Sequence, residues 1–226
     1  MLINTYNNML ISFSGLDCSG KSTQIKLLKE YLEGKGYYVK VVWSRGGYTP
    51  GVDFLKAIIR GGKPKAPEEQ TPEERVAKVA REPKGGKLLL WIGIMDLIRY
   101  WGCIFRRWSS GEKQVLFCDR YFWDTYIDYL LKYPQSGFQN WLSWKLLVKV
   151  YRKPDLSLCL TVTPEESMRR SNLKFEPFPE PEEKRQERLD RYVAELKNGR
   201  WQHEIDCMRP IEPIQEEIRR LVDEIL

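Results

Sequence analysis

The chain has 226 residues, 42% of them hydrophobic and 30% charged, which is the composition of a globular protein of one domain, or one domain with a small appendage. A net charge of +6 suits an anionic partner, whether nucleotide, phosphate ester or nucleic acid, without choosing among them. His203 is the only histidine, which argues against a histidine triad or a histidine-built metal cluster.

The five cysteines (Cys18, Cys103, Cys118, Cys159 and Cys207) form no C-x-x-C pair, and several lie in or beside apolar runs. That pattern predicts reduced thiols, a cytoplasmic compartment and no structural zinc. Met1 to Asn8 lacks a signal-peptide pattern. The most apolar stretch, Leu88 to Ile98, contains Asp96 and reads as too short to span a bilayer, so no membrane partner is expected.

In chain order, Met9 to Ser14 predicts a buried strand, and Ser22 to Glu33 a helix with Ile25, Leu28 and Leu32 on one face and Gly34 and Gly36 as stop signals. Further strands are predicted at Tyr37 to Trp43, Val115 to Cys118, Leu156 to Val162 and, more weakly, His203 to Cys207. Helical periodicity falls at 86–108, 124–132, 138–151, 164–171, 181–197 and 212–226. Strands separated by helices imply a parallel sheet with crossover helices, an α/β architecture. Two segments break the rhythm: a long polar insertion at 46–87, and the Pro-rich connection Asn172 to Pro181.

Gly15-Leu16-Asp17-Cys18-Ser19-Gly20-Lys21-Ser22 matches G-x-x-x-x-G-K-[ST] between a predicted strand and a predicted helix, the context this motif requires. Gly15 and Gly20 let the backbone turn so that consecutive N–H groups point at phosphate oxygens, and the helix N-terminus adds its positive end. Lys21 can reach β- and γ-phosphates, and the Ser22 hydroxyl can ligate magnesium. ATP with Mg²⁺ is therefore the expected ligand, and no guanine-reading N/T-K-x-D segment is present. Asp119 and Arg120 end the third strand, where open α/β sheets bind ligands.

Several segments in order resemble the thymidylate kinase family of nucleoside monophosphate kinases. Phe13 to Gln24 looks like its phosphate loop, and Ser44-Arg45-Gly46-Gly47 is similar to its T-R-E-P-G segment without the Glu and Pro. Cys118 to Tyr121 matches its D-R-Y/H segment. Pro154 to Leu158, Thr163 to Arg170, and Ile205-Asp206 with Pro210 to Glu212 resemble its later segments. The resemblance implies a P-loop NTPase fold: three layers, α/β/α, with a mostly parallel five-stranded sheet and a short helical lid at 170–185, in a single domain over 1–226. It also implies roles. Lys21, Asp17, Arg45, Asp119 and Arg120 would be catalytic, with Ser22, Asp17 and Asp119 near magnesium. Gly15, Cys18, Ser19, Gly20, Lys21, Ser22, Thr23, Arg169, Arg170, Asp206, Cys207 and Met208 would surround ATP. Arg45 and Arg120 would hold the acceptor's phosphate, and a dimer packed through helices is implied.

The chain departs from the family on the acceptor side. Trp91 or Ile92 falls near the family's base-stacking aromatic, but Asp96 stands where an arginine belongs, and Asp124 and Asp128 follow the D-R-Y segment one helical turn apart. Carboxylates beside an acceptor pocket repel a phosphate dianion and suit hydroxyls or an amine. The expected reaction is phosphoryl transfer from ATP to a nucleoside monophosphate, as the resemblance implies for dTMP, or to a related acceptor; the rival within the class is a kinase of an unphosphorylated alcohol, such as a sugar or nucleoside. A nucleotide-dependent nucleic-acid binder is the rival from another class. Trp91, Trp101, Trp108, Trp141 and Trp144 could stack on bases, although core packing accounts for them in helical segments. Arg169, Arg170, Lys174, Arg185 and Arg188 surround the Pro-rich connection and could supply a lid cation; Arg188, and Arg185 with it, also reads as a solvated helix face.

Overall fold

A computed structural model describes residues 8–43, 86–108, 113–174 and 180–226. Strand β1 (Met9–Gly15) is buried at every position, as a strand covered on both faces must be. Helix α1 (Lys21–Gly34) follows and buries Ile25, Leu28 and Leu32 along one stripe. Next come β2 (Tyr38–Trp43), α2 (Gly86–Trp108), β3 (Gln114–Asp119) and α3 (Phe122–Lys132). A 3-10 turn (Phe138–Asn140), α4 (Leu142–Val150), β4 (Leu156–Thr161), α5 (Pro164–Leu173), α6 (Glu182–Lys197), β5 (His203–Asp206) and α7 (Ile211–Asp223) complete the order. The helix expected over 138–151 divides in two because Trp141 is extended, at φ −71° and ψ 144°.

The strands pair in the order β2-β3-β1-β4-β5, every pair parallel. On one face Phe13, Phe117 and Leu158 pack on Leu28 of α1 and Ile218 of α7. On the other, Leu10, Leu116 and Cys118 meet Ile94 and Trp101 of α2 and Phe122 of α3. A further cluster joins Leu16, Ile127 and Cys159 to Tyr192 of α6 and Trp201. The sheet with helices on both faces makes three layers, α/β/α. Phe13 and Phe117 are fully buried and meet edge to face at 5.4 Å, each burial being worth roughly 1.5–3 kcal/mol.

The apolar stretch from Leu88 extends into a helix of 23 residues, long and apolar enough to cross a membrane by length and composition. Here Leu90, Ile94, Leu97 and Trp101 on its buried face pack against the sheet, as a core helix does. Trp101, Trp108 and Trp144 are likewise core residues, which removes them as stacking platforms for nucleic acid. Arg45, residues 46–85 of the polar insertion and 175–179 of the expected lid lie outside the described residues.

β1 lies between β3 and β4, so the connections leaving it and β3 diverge to opposite sides of the sheet. A crevice at such a switch point is where open α/β sheets bind ligands. The phosphate loop and Asp119-Arg120 both leave their strands at this edge.

Candidate active site

The phosphate loop is set by two glycines. Gly15 has φ +132°, and a Cβ there would lie 2.1 Å from the Leu160 carbonyl oxygen of the adjacent strand, so no side chain fits. Gly20 has φ +97° and precedes α1, which carries no side-chain N-cap and no acid in its first turn. Helix α5, by contrast, is capped by Thr163 and begins with Glu165 and Glu166. An uncapped N-terminus leaves amide donors and the positive end of the helix for an anion. Thr23 closes the first turn by donating its N–H to the Gly20 carbonyl at 3.1 Å.

Asp17, Cys18, Gly20, Lys21 and Ser22 line one cleft together with Trp43, Asp119, Arg120 and Lys174. Ser19 lies just beneath, fully buried. Lys21 donates to the Gly15 and Leu16 carbonyls at 3.0 and 2.6 Å. Burial foremost, and Arg120 next, lower its pKa to about 8 against the pull of Asp17.

Asp119 closes β3 in register with Phe13 and Trp43. Burial pushes its carboxyl up, opposed by Lys21 and Arg120, and its Oδ1 is buried without a hydrogen-bond partner among the described residues. Arg120 has φ +67°, a left-handed conformation that a side-chain-bearing residue keeps only when its surroundings enforce it. Its N–H donates to the Phe13 carbonyl at 2.9 Å, and its guanidinium is buried. Nη2 donates to the Asp17 carboxylate, while Nη1 faces Tyr192 Oη at 3.3 Å and Asp124 Oδ1 at 3.6 Å. Burial works against the guanidinium charge, but Asp17 overrides it and holds the group charged.

Magnesium would find Ser22 and the unpartnered Asp119 oxygen on the same cleft wall, which fits a cation that takes its other ligands from phosphate and water. Asp17, the third expected ligand, lies on the same cleft and is paired with Arg120.

The carboxylates expected around the acceptor stand differently. Asp124 is buried and fully used: Oδ2 accepts from Ser14 Oγ at 2.6 Å and the Tyr121 N–H at 2.9 Å, and Oδ1 accepts from Tyr192 Oη at 2.5 Å. Asp128 forms a buried ion pair with Arg188, which also donates to Glu180 at 3.1 and 3.0 Å. Asp96 is buried against Arg99 at 3.1 Å. None of the three lines the cleft. Trp91 is 46% exposed on α2 and does not line this cleft; among the described residues Trp43, the last residue of β2, is the tryptophan that does. Its position at a strand's carboxyl end was the available signal.

The basic residues after α5 sort equally sharply. Arg185 and Arg188 are buried, which corrects their reading as a solvated face. Arg185 donates to Ser167 Oγ at 2.5 Å and Ser171 Oγ at 3.0 Å, and Ser167 Oγ donates in turn to the Asp17 carbonyl at 2.7 Å. Arg169 is exposed and turned to Glu166, whose carboxyl it and Arg170 hold down to about 2. Arg170 also donates to the Cys207 carbonyl at 2.9 Å, tying α5 to the turn after β5, where the Met208 N–H donates to Asp206 Oδ1 at 2.9 Å. Burial pushes the Cys207 thiol up to about 12. Lys174 alone of this basic group lines the cleft.

No family model matches the chain. The thymidylate kinase of Symbiobacterium thermophilum is 26% identical over 232 residues, covering 97% of this chain and 94% of that one. The thymidylate kinase of Chlorobaculum tepidum is 28% identical over 189 residues, covering 81% and 74%. Among solved structures, a deoxyadenosine kinase from M. mycoides with dCMP and a flexible dCDP bound matches with TM-score 0.61 at 15% identity, over 96% of this chain and 100% of that chain. A thymidylate kinase from Ehrlichia chaffeensis matches with TM-score 0.51 at 21% identity, over 96% and 98%. The chain is thus similar to thymidylate kinases at 26–28% identity over most of its length, which supports a kinase, and it shares the fold of the two solved kinases.

Proposed function

We propose that this thymidylate kinase-like chain uses ATP with magnesium to phosphorylate a nucleoside monophosphate. The observation that carries this reading is the single cleft in which the phosphate loop faces Asp119, Arg120 and Lys174. The loop amides and Lys21 would bind the β- and γ-phosphates, Arg120 the acceptor phosphoryl, with Arg45 beside it as the family resemblance implies. Arg169, Arg170 and Asp206 to Met208 would flank the adenine. Bound magnesium would neutralise β- and γ-oxygens, with Ser22 and Asp119 as its protein ligands. An acceptor phosphate oxygen attacks the γ-phosphorus, the bond to the bridging oxygen breaks, and ADP leaves with that electron pair. The acceptor oxygen is already anionic at neutral pH, so no general base is needed. Positioning and charge neutralisation supply the catalysis.

The acidic residues that argued against a phosphorylated acceptor are each engaged by an arginine or within a hydrogen-bond network, so they offer no field of free carboxylates. Asp96 still occupies the position of the family's base-reading arginine, so dTMP is not expected to be favoured over other nucleoside monophosphates. A second reading, transfer to an unphosphorylated hydroxyl, is favoured by one observation: the raised carboxyl of Asp119, with its unpartnered oxygen, could accept the proton an alcohol must lose. Measuring ADP release across matched nucleosides and nucleoside monophosphates decides between them. Activity confined to the nucleosides would sink the first reading.

A homodimer is also proposed. Leu88, Trp91 and Met95 form an exposed apolar stripe along α2, with Leu142 and Leu146 exposed on α4. Light scattering should give twice the monomer mass; a monomer at all concentrations would remove this proposal.

A further inference from the structure

We infer that Tyr192, on the helix after the lid connection, is a positioning residue for Arg120. This rests on the kinase reading above in one respect only, that Arg120 serves the phosphoryl acceptor. The two residues are 72 positions apart, and no sequence motif links them.

Arg120 is held from two sides. Asp17 of the phosphate loop draws Nη2 one way. Tyr192 Oη and Asp124 Oδ1, at 3.3 and 3.6 Å, draw Nη1 the other way. Asp124 cannot yield, because Ser14, the Tyr121 amide and Tyr192 fix both of its oxygens. The Tyr192 hydroxyl has one proton to give and gives it to Asp124 at 2.5 Å, which leaves its lone pair aimed at Arg120. Burial and the neighbouring Asp124 keep this phenol protonated, so the direction of the relay does not invert near neutral pH.

The ring is set independently of the hydroxyl. Tyr192 is fully buried, in one cluster with Leu16, Ile127 and Trp201, and its ring centre lies 5.5 Å from that of Trp201. Removing only the oxygen leaves this packing intact. It also takes one partner from the Nη1 side and one donor from Asp124 Oδ1, so the guanidinium is held less tightly between Asp17 and Asp124.

The test is a double-mutant cycle with an independent readout. Tyr192→Phe should lower kcat/KM for the acceptor roughly ten- to a hundredfold, the range for losing a hydrogen bond to charged groups, while the KM for ATP changes less than twofold. In an Arg120→Lys background the same substitution should change kcat/KM less than twofold, because its target is already altered. A full additive loss in that background would overturn the inference and leave Tyr192 a packing residue. The guanidinium nitrogen resonances of Arg120 in the nucleotide-free protein should be sharp in the parent and broadened in Tyr192→Phe. Unchanged resonances would overturn the tether even if the protein proved to phosphorylate nothing. A parent enzyme inactive on every acceptor would instead count against the kinase reading.

Discussion

Arg188→Ala tests whether Asp128 belongs to the architecture or to the acceptor site. Arg188 and Asp128 are 6% and 8% exposed, and Glu180 contacts the same guanidinium at 3.0 Å. Across that 3.0 Å, an effective dielectric near 20 gives about 5 kcal/mol of gross attraction for the Arg188–Glu180 contact alone, much of it offset by the cost of taking the ions from water. Truncating the arginine removes the attraction but leaves Asp128 buried, so the loss should be about 3–5 kcal/mol. For a domain of this length that lowers Tm by about 6–20 °C. Urea denaturation followed by far-UV circular dichroism measures it. Arg188→Met with Asp128→Leu should recover part of the loss, since both buried charges then go. A loss below about 1 kcal/mol in Arg188→Ala would mean that Asp128 is solvated and turned to the cleft, and the structural account of it would fall.

Lys21→Ala should reduce ADP release by at least about a thousandfold, as removal of a principal charge-stabilising group does, with the circular dichroism spectrum unchanged. Turnover near the parent's would remove the mechanism. Because Lys21 titrates near 8 in the free protein and a bound phosphate raises that value, ATP affinity should be full below pH 8. It should weaken as pH rises through 8 toward the bound value, by up to tenfold per unit, in calorimetric titrations between pH 6.5 and 9.5; flat affinity across that range would exclude Lys21 as a phosphate ligand. Gly15→Ala should cost several kcal/mol and abolish nucleotide binding, because the added Cβ meets the Leu160 carbonyl at 2.1 Å; a stable, ATP-binding variant in thermal melts would refute that packing.

The phosphate loop was legible in the sequence because its chemistry is local: two glycines, a lysine and a serine within eight positions, between a strand and a helix. The strands were legible as buried apolar runs, and their bounds fell within two residues of those observed. What the acidic residues do was not. Asp124 and Asp128 share a helix face and look like a carboxylate patch, yet their partners Tyr192 and Arg188 lie 68 and 60 positions away on α6. No period or propensity encodes such pairing; it follows from packing α6 against α3. Arg185 illustrates the same point, since a buried arginine joining two serines of α5 is indistinguishable, in a string of charged residues, from a solvated one. Trp43 was within reach, because the end of a parallel strand marks the binding edge.

The most direct measurement is the identity of the product. Phosphorus-31 NMR of the protein with ATP, magnesium and a mixture of nucleoside monophosphates should show ADP and new nucleoside diphosphates growing together. The same experiment with nucleosides alone should leave ATP unconsumed. A nucleoside monophosphate formed from a nucleoside, or free phosphate released without an acceptor product, would contradict the account.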